Sequence, residues 1–245
     1  MTLSNAISGG SNGLAKSGAG TLVLSGSNTY TGETAVSNGK LLVNNSSGSG
    51  TGSGAVSVTS GATLGGTGAL IGAVTITGGT LSPGASVESF STGAVTFDGG
   101  TFEYETNHSA DSAAAGDLLI ANGNLTLTGT VNLTLTDLAL PTGAFAPNST
   151  TLSLIQYAGT WNGGFFTYGS NELTNHESFT DTYGNYWKIT YDASVSGLNF
   201  ASQLPGGGSF VTLSNLTAVP EPGSLFAIGC LIGSGALLRS RRREA

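Results

Sequence analysis

Cysteine is nearly missing. Cys230 stands alone among 245 residues, so neither a disulfide framework nor a cysteine-based metal site can form within one chain. Histidine is almost as scarce: His108 and His176 each sit in a polar stretch with no second His or Cys nearby in sequence. They read as solvated loop residues rather than as metal ligands or general bases. Basic residues number seven, and four of them, Arg239, Arg241, Arg242 and Arg243, crowd the end of the chain. Residues 1–219 hold only Lys16, Lys40 and Lys188 against twelve acids, a net of −9. An acidic body without a basic stripe argues against nucleic acid as a partner. Residues 1–20 lack the basic start and apolar run of a secretory signal peptide. Ala6-Ile7-Ser8-Gly9-Gly10 already reads as mid-repeat sequence, so the chain is expected to begin inside a longer protein or at a miscalled start. Charged residues make up only 9% and glycine supplies 40 positions. That composition borders on disorder, and only the patterning of the apolar residues argues otherwise.

The patterning is a repeat. Gly54-Ala55-Val56-Ser57-Val58-Thr59-Ser60-Gly61-Ala62-Thr63-Leu64 recurs as Gly72-Ala73-Val74-Thr75-Ile76-Thr77-Gly78-Gly79-Thr80-Leu81. It returns as Gly93-Ala94-Val95-Thr96-Phe97-Asp98-Gly99-Gly100-Thr101-Phe102, and a worn copy runs from Ala35 to Leu41. Aligned on Gly39, Gly61, Gly79 and Gly100, the steps are 22, 18 and 21 residues. Within each copy Val56 and Val58, Val74 and Ile76, or Val95 and Phe97 alternate with polar residues. Period two with β-branched residues indicates a half-buried strand, and the Gly-rich corner with Thr-Leu indicates a turn and a second short strand. One copy cannot bury its apolar side alone, whereas stacked copies can. About 20 residues per step, at roughly 3.3 Å per residue, suit one coil of a parallel β-solenoid, with unequal steps looping out at corners. A β-sandwich is the competing architecture.

The stretch Gly13-Leu14-Ala15-Lys16-Ser17-Gly18-Ala19-Gly20-Thr21-Leu22-Val23-Leu24-Ser25-Gly26-Ser27-Asn28-Thr29-Tyr30-Thr31-Gly32 resembles the autotransporter-associated β-strand repeat. The hallmark of that family is a Gly-x-Gly-Thr-Leu-x-Leu-x-Gly-x-Asn-x-Tyr-Thr-Gly string. Thr34 to Asn44 continues the pattern, and a looser match extends to about residue 103. The resemblance implies a right-handed parallel β-helix in an exported, surface-directed protein, and it implies no chemistry. The Gly-Gly-x-Gly-x-Asp calcium repeat does not occur.

Residues 45–53 read as a flexible corner, and residues 106–116 as a protruding loop. Phe102 and Tyr104 share one face, and from Asp117 to Leu138 the ladder resumes through Leu125, Leu127, Val131, Leu133 and Leu135. Beyond Pro141 and Pro147 aromatics gather: Tyr157, Trp161, Phe165, Phe166, Tyr168, Phe179, Tyr183, Tyr186, Trp187 and Tyr191. Strands are expected at Thr151–Tyr157, Tyr186–Asp192 and Gly197–Ala201. Larger side chains can stop further coil addition. The expected division is therefore repeats over 1–140, a β-rich cap over 148–203, a linker over 204–218 opened by Pro205-Gly206-Gly207-Gly208, and a tail over 219–245.

The tail has three parts in order: Val219-Pro220-Glu221-Pro222, an apolar run from Ser224 to Leu238, and the Arg cluster. It is similar to the PEP-CTERM protein-sorting signal of Gram-negative bacteria. That resemblance implies a membrane-embedded exosortase-type protease as partner and delivery to the cell envelope or an exopolysaccharide matrix. Two prolines flanking Glu221 hold an extended, unpaired backbone that fits a protease cleft. Fifteen largely apolar residues at about 1.5 Å each make a short hydrophobic helix of roughly 23 Å, less than a ~30 Å hydrocarbon core and suited to a transient span. The Arg cluster should stay cytoplasmic, leaving the body outside. Export conflicts with the missing signal peptide, and an incomplete N-terminus resolves the conflict.

Enzyme chemistry has little to rest on. No Gly-x-Ser-x-Gly elbow occurs in a supporting context. Glu103 and Glu105 share a strand face as a catalytic carboxylate pair would, but solvated surface is the plainer reading. Trp161 and Trp187 could stack on sugars, and packing in the core or cap is the plainer reading. Ala227-Ile228-Gly229-Cys230 is a lipobox-like string at the wrong terminus, and Gly229 with Gly233 is ordinary span composition. Asn124-Leu125-Thr126 and similar acceptor strings follow from composition. The sequence thus supports a non-enzymatic exported structural or adhesin-like protein without cofactor or metal. A carbohydrate-binding module in 148–203 and a β-helix polysaccharide-degrading enzyme are the alternatives.

Overall fold

The computed structural model describes residues 1–84, 86–108, 116–139, 145, 150–194 and 208–216. Every regular element among them is a strand. The chain opens with β1 (Thr2–Leu3), β2 (Leu14–Lys16), β3 (Thr21–Leu24), β4 (Thr34–Val36), β5 (Gly39–Val43), β6 (Val56–Thr59) and β7 (Ala62–Gly66). It continues through β8 (Val74–Thr77), β9 (Thr80–Pro83), β10 (Ser89–Thr92), β11 (Val95–Thr106), β12 (Leu118–Ala121), β13 (Leu125–Asp137) and β14 (Thr151–Tyr157). The last strands are β15 (Phe166–Tyr168), β16 (Asn171–Leu173), β17 (Ser178–Thr180), β18 (Tyr186–Ala193) and β19 (Ser209–Leu216).

Like strands of successive copies pair in parallel, as a stacked repeat demands. One ladder runs β2-β4-β6-β8 and meets the first half of β11. The other runs β1-β3-β5-β7-β9 and meets the second half of the same strand. Because β11 belongs to both ladders, the parallel sheet is curled, the arrangement of a β-solenoid. β13 stacks on β11 along both halves, with a register shift beside Asp98 and Gly100. A third side is closed by β10, β12 and β14, which pair in parallel. In the earlier coils the same side is held by single hydrogen bonds: Asn28 N to Ser49 O at 2.8 Å, Gly50 N to Ala69 O at 2.8 Å and Leu70 N to Ser91 O at 2.9 Å. Residues 45–53, expected to be a flexible corner, are therefore part of the stack, and Ser49 to Gly52 are buried. Short polar side chains hid this rung from a search for alternation.

The register places apolar side chains in columns. Val36, Val58, Ile76, Phe97 and Leu127 stack inward on one side. Leu22, Leu41, Leu64, Leu81, Phe102 and Leu133 stack inward on the other. All are buried, while the intervening Thr75 is exposed. The corner between the two sides is nearly constant, six steps from Val58 to Leu64 and five from Ile76 to Leu81. The return to the next coil takes 17 steps from Leu41 to Val58, 12 from Leu64 to Ile76 and 16 from Leu81 to Phe97, so uneven copy lengths are absorbed on the return. Gly78 and Gly99 turn that corner with φ of 70° and 68°, a conformation that a Cβ disfavours. At the corner leading into β6, β8 and β11, Gly54, Gly72 and Gly93 are required for a different reason. A Cβ on each would collide with a backbone carbonyl of the coil before, Gly54 O in the case of Gly72.

At the far end the core becomes aromatic. Phe166 pairs beside Val131 and lays its ring on Phe102, centroids 5.6 Å apart and 23° from parallel. β15 and β16 form an antiparallel hairpin there. The second sheet also changes sense: β14 pairs antiparallel with β19, β19 with β18, and β18 with β17. Thr151–Tyr157 is a strand as expected, and Tyr186–Asp192 falls within β18. The linker expected over 204–218 is not one throughout. Ser209–Leu216 is β19, the central strand joining the third side of the solenoid to the terminal strands, with Val211 and Leu213 fully buried. Its apolar residues have partners only once β14 and β18 are in place. β11 likewise runs through Thr106, into the stretch expected to loop. The expected strand at Gly197–Ala201 and the expected C-terminal helix lie outside the described residues.

Candidate functional site

The repeat motif is consumed by the fold. Lys16 occupies the inward column ahead of Val36, and its ammonium donates to Gly18 O and to Asn38 O, the latter at 2.8 Å. Asn28 clamps three coils: Ile7 N donates to its Oδ1 at 2.7 Å and its Nδ2 donates to Gly50 O at 2.5 Å. Tyr30 is buried with its hydroxyl 2.7 Å from Thr34 Oγ1, and burial raises the phenol above its ordinary range. The polar groups of Lys16, Asn28 and Tyr30 are thus engaged within the stack rather than offered to a ligand.

Most sequence candidates have structural partners. His108 Nδ1 lies 2.5 Å from Asp137 Oδ2, and Asp137 Oδ1 accepts from Ala139 N at 3.1 Å. The ring also meets Phe145 edge-on at 6.1 Å. This cluster secures the ends of β11 and β13. His176 is exposed, adopts φ of 69°, and donates its backbone N–H to Ile189 O. Among the described residues no group of three His, Cys, Asp or Glu is placed to hold a metal ion. Glu103 and Glu105 lie side by side, half-buried on β11. Burial raises the Glu105 carboxyl, the Glu103 charge raises it further, and Lys40 opposes both. Trp187 is 1% exposed, donates to Asp181 Oδ2 at 2.7 Å and touches Phe145 edge-on, so its ring is closed to a sugar. Trp161 is half-buried and stacked on Tyr191 at 5.0 Å and 14°.

Two features escaped the sequence reading. Asp117 is fully buried and accepts from Glu88 N at 3.0 Å and Glu105 N at 3.2 Å. Burial outweighs these bonds and, with the nearby Glu105 and Glu88 charges, pushes its pKa up to about 8. The signal available was an acid heading the apolar run Leu118-Leu119-Ile120. The second feature is a cleft of about 430 Å³ between the β15–β16 hairpin and β17, lined by Tyr168, Asn171, Glu172, Glu177, Ser178 and Thr180 among others. Tyr191 ties the two hairpin strands together: its hydroxyl accepts from Phe166 N at 2.7 Å and donates to Leu173 O at 2.9 Å. Tyr168 packs on Phe179 at 4.8 Å, and its hydroxyl accepts from Thr182 N at 3.1 Å. No sequence spacing joins these residues, because strand pairing in two different sheets brings them together.

Val219, Pro220, Glu221 and Pro222, the apolar run with Gly229, Cys230 and Gly233, and Arg239, Arg241, Arg242 and Arg243 all lie outside the described residues. Among those described, no helix is long and apolar enough to cross a membrane, which says nothing of β-barrels.

Comparison with known proteins finds a passenger-associated-transport-repeat over residues 14–43. That segment covers β2 to β5, two successive coils with their motif residues. An 86-residue stretch, 35% of this chain, is 41% identical to the adhesin BmaC autotransporter of Brucella suis biovar 1 (strain 1330). The chain spans about 2% of that relative's length. No solved structure matches.

Proposed function

We propose that this chain is a non-enzymatic, exported, adhesin-like solenoid displayed at the cell surface or in the extracellular matrix of a Gram-negative bacterium. The observation that carries the reading is the coincidence of the transport repeat with β2 to β5. The same residue types that define the repeat are spent on stacking, which suits a spacer and display surface rather than a catalytic centre. Similarity to an adhesin autotransporter points the same way. The coil winds right-handed, as the repeat resemblance implies.

Delivery falls to the tail. Val219-Pro220-Glu221-Pro222 is the protease recognition string, Ser224 to Leu238 forms a short helix that anchors transiently in the inner membrane, and Arg239, Arg241, Arg242 and Arg243 hold the end in the cytoplasm. An exosortase-type membrane protease is the partner, and exopolysaccharide is the matrix that receives the product. In this division residues 1–140 are the repeats and the aromatic strands from 148 on are the cap, with β19 drawn into it. Surface proteolysis of intact cells tests display: the body should be digested while a cytoplasmic control survives. Full protection of the body in intact cells overturns the reading.

A further inference from the structure

The two sheets leave a gap at one place. Among the described residues β16 pairs only with β15, and β17 only with β18, so each is a free edge. The cleft of about 430 Å³ lies between these edges, and consecutive residues of both line it. That volume falls in the range of small-ligand sites, roughly 300–1,000 Å³. We propose that the cleft is a saccharide site for a sugar unit without negative charge, a neutral hexose or a hexosamine.

The lining chemistry sets the class. Glu172 and Glu177 supply carboxylate acceptors for vicinal hydroxyls or an ammonium, and Asn171, Ser178 and Thr180 supply further donors and acceptors. The half-buried Tyr168 ring supplies an apolar plate for the C–H face of a pyranose. No Lys, Arg or His lines the cleft, so nothing there would hold a uronate or a sulfate. The walls are fixed in advance, which lowers the ordering cost of binding. Tyr168 is held by Phe179 and Thr182, and Glu177 Oε2 accepts from Thr174 Oγ1 at 3.1 Å. A peptide strand added to the free edges is the competing occupant. Each edge is only three residues long, too short for the run of main-chain bonds that strand addition relies on. The inference deepens the adhesin reading by naming its ligand class and rests on that reading for the role of the site. Its chemistry stands on the cleft alone.

Calorimetric titration of the purified full chain in detergent tests it, with a neutral glucan hexamer, a chitosan hexamer and an oligogalacturonate as probes. Binding of the glucan or chitosan hexamer, but not of the oligogalacturonate, is expected. The first outcome identifies a neutral ligand, and the second, with the glucan inactive, a hexosamine. Tyr168→Ala and the double variant Glu172→Gln with Glu177→Gln should each weaken it at least about tenfold, or ~1.4 kcal/mol. The double variant carries the test if loss of the Tyr168–Phe179 contact unfolds the chain, since both carboxylates are exposed. Equal binding of the oligogalacturonate, unchanged affinity in the carboxamide variant, or no binding of either sugar at millimolar concentration overturns the proposal. Surface display is measured separately, so a failed titration leaves the adhesin reading standing and failed display leaves the cleft standing.

Discussion

Residues in this molecule divide sharply into those that face the stacked core and those that face water, and neighbours in sequence lie on opposite sides of that divide. Val74 is 1% exposed while Thr75 is open to solvent. Val74→Asp should therefore cost about 4 kcal/mol or more, the range of an unpaired charge in a core, and Thr75→Asp less than about 0.5 kcal/mol. Urea denaturation of the two variants should show midpoints far apart, and coincident midpoints would contradict the assignment. Among the described residues Asp117 is the one acid with a carboxyl raised to about 8, against an ordinary 3.8. Its folded-state pKa lies above its unfolded value, so the folded chain keeps a proton that the unfolded chain releases. The resulting stability is fully present below about pH 4 and is lost as pH rises through about 8, with a slope of up to about 1.4 kcal/mol per pH unit. Asp117→Asn should flatten that slope in urea denaturations at pH 5, 6, 7 and 8. An unchanged slope would show that Asp117 ionises normally.

Elements here are short, and their stability comes from stacking rather than from length. Coil spacing depends on backbone approaching backbone at Gly54, Gly72 and Gly93, where no side chain fits. Gly72→Ala should force neighbouring coils apart and lower stability by about 1–3 kcal/mol, the usual cost of overpacking. Gly18→Ala should be nearly silent, because nothing lies within 4 Å of its Cβ position. Thermal melts followed by circular dichroism compare the two, and equal melting temperatures would contradict the close-packed corner. The same stacking explains what was legible in the sequence. β6 and β8 alternate throughout, and β11 and β13 alternate on either side of their glycine corners, because one side packs and the other is wet, so their period of two survives in the residues. The third side is obscure in the early coils because Asn28 and Asn45 make their rungs through side-chain amides, Asn45 Oδ1 accepting from Ala69 N at 3.0 Å. β19 was obscured because the Pro-Gly-Gly-Gly string before it reads as a linker, while its apolar residues find partners only in β14 and β18. The cleft beside Tyr168 had no sequence signal, since it exists only where two sheet edges approach.

Across the described residues the molecule is an all-β stack closed at one end by aromatic residues and antiparallel strands. Phe166 of the cap packs on Phe97 and Phe102 of β11, edge-on to Phe97 at 6.3 Å and stacked on Phe102 at 5.6 Å. The proposed function requires that this body reach the outside and be released from its tail. In the proposed route the Arg cluster would halt translocation, the short apolar run would hold Val219–Pro222 beside the outer face of the membrane, and the Pro-Glu-Pro string, which favours an extended backbone, would enter a protease without unfolding anything. Replacing Pro220, Glu221 and Pro222 with Ala should leave the protein membrane-bound and uncut. Replacing Arg239, Arg241, Arg242 and Arg243 with Ser should weaken membrane retention and reduce processing. The most direct measurement is mass spectrometry of C-terminal peptides from protein recovered at the surface of a host with exosortase. The account predicts a mature chain that ends near Pro222 and lacks the segment from about Gly223 to Ala245. Surface-exposed protein that still carries an intact Arg241-Arg242-Arg243 end would contradict it.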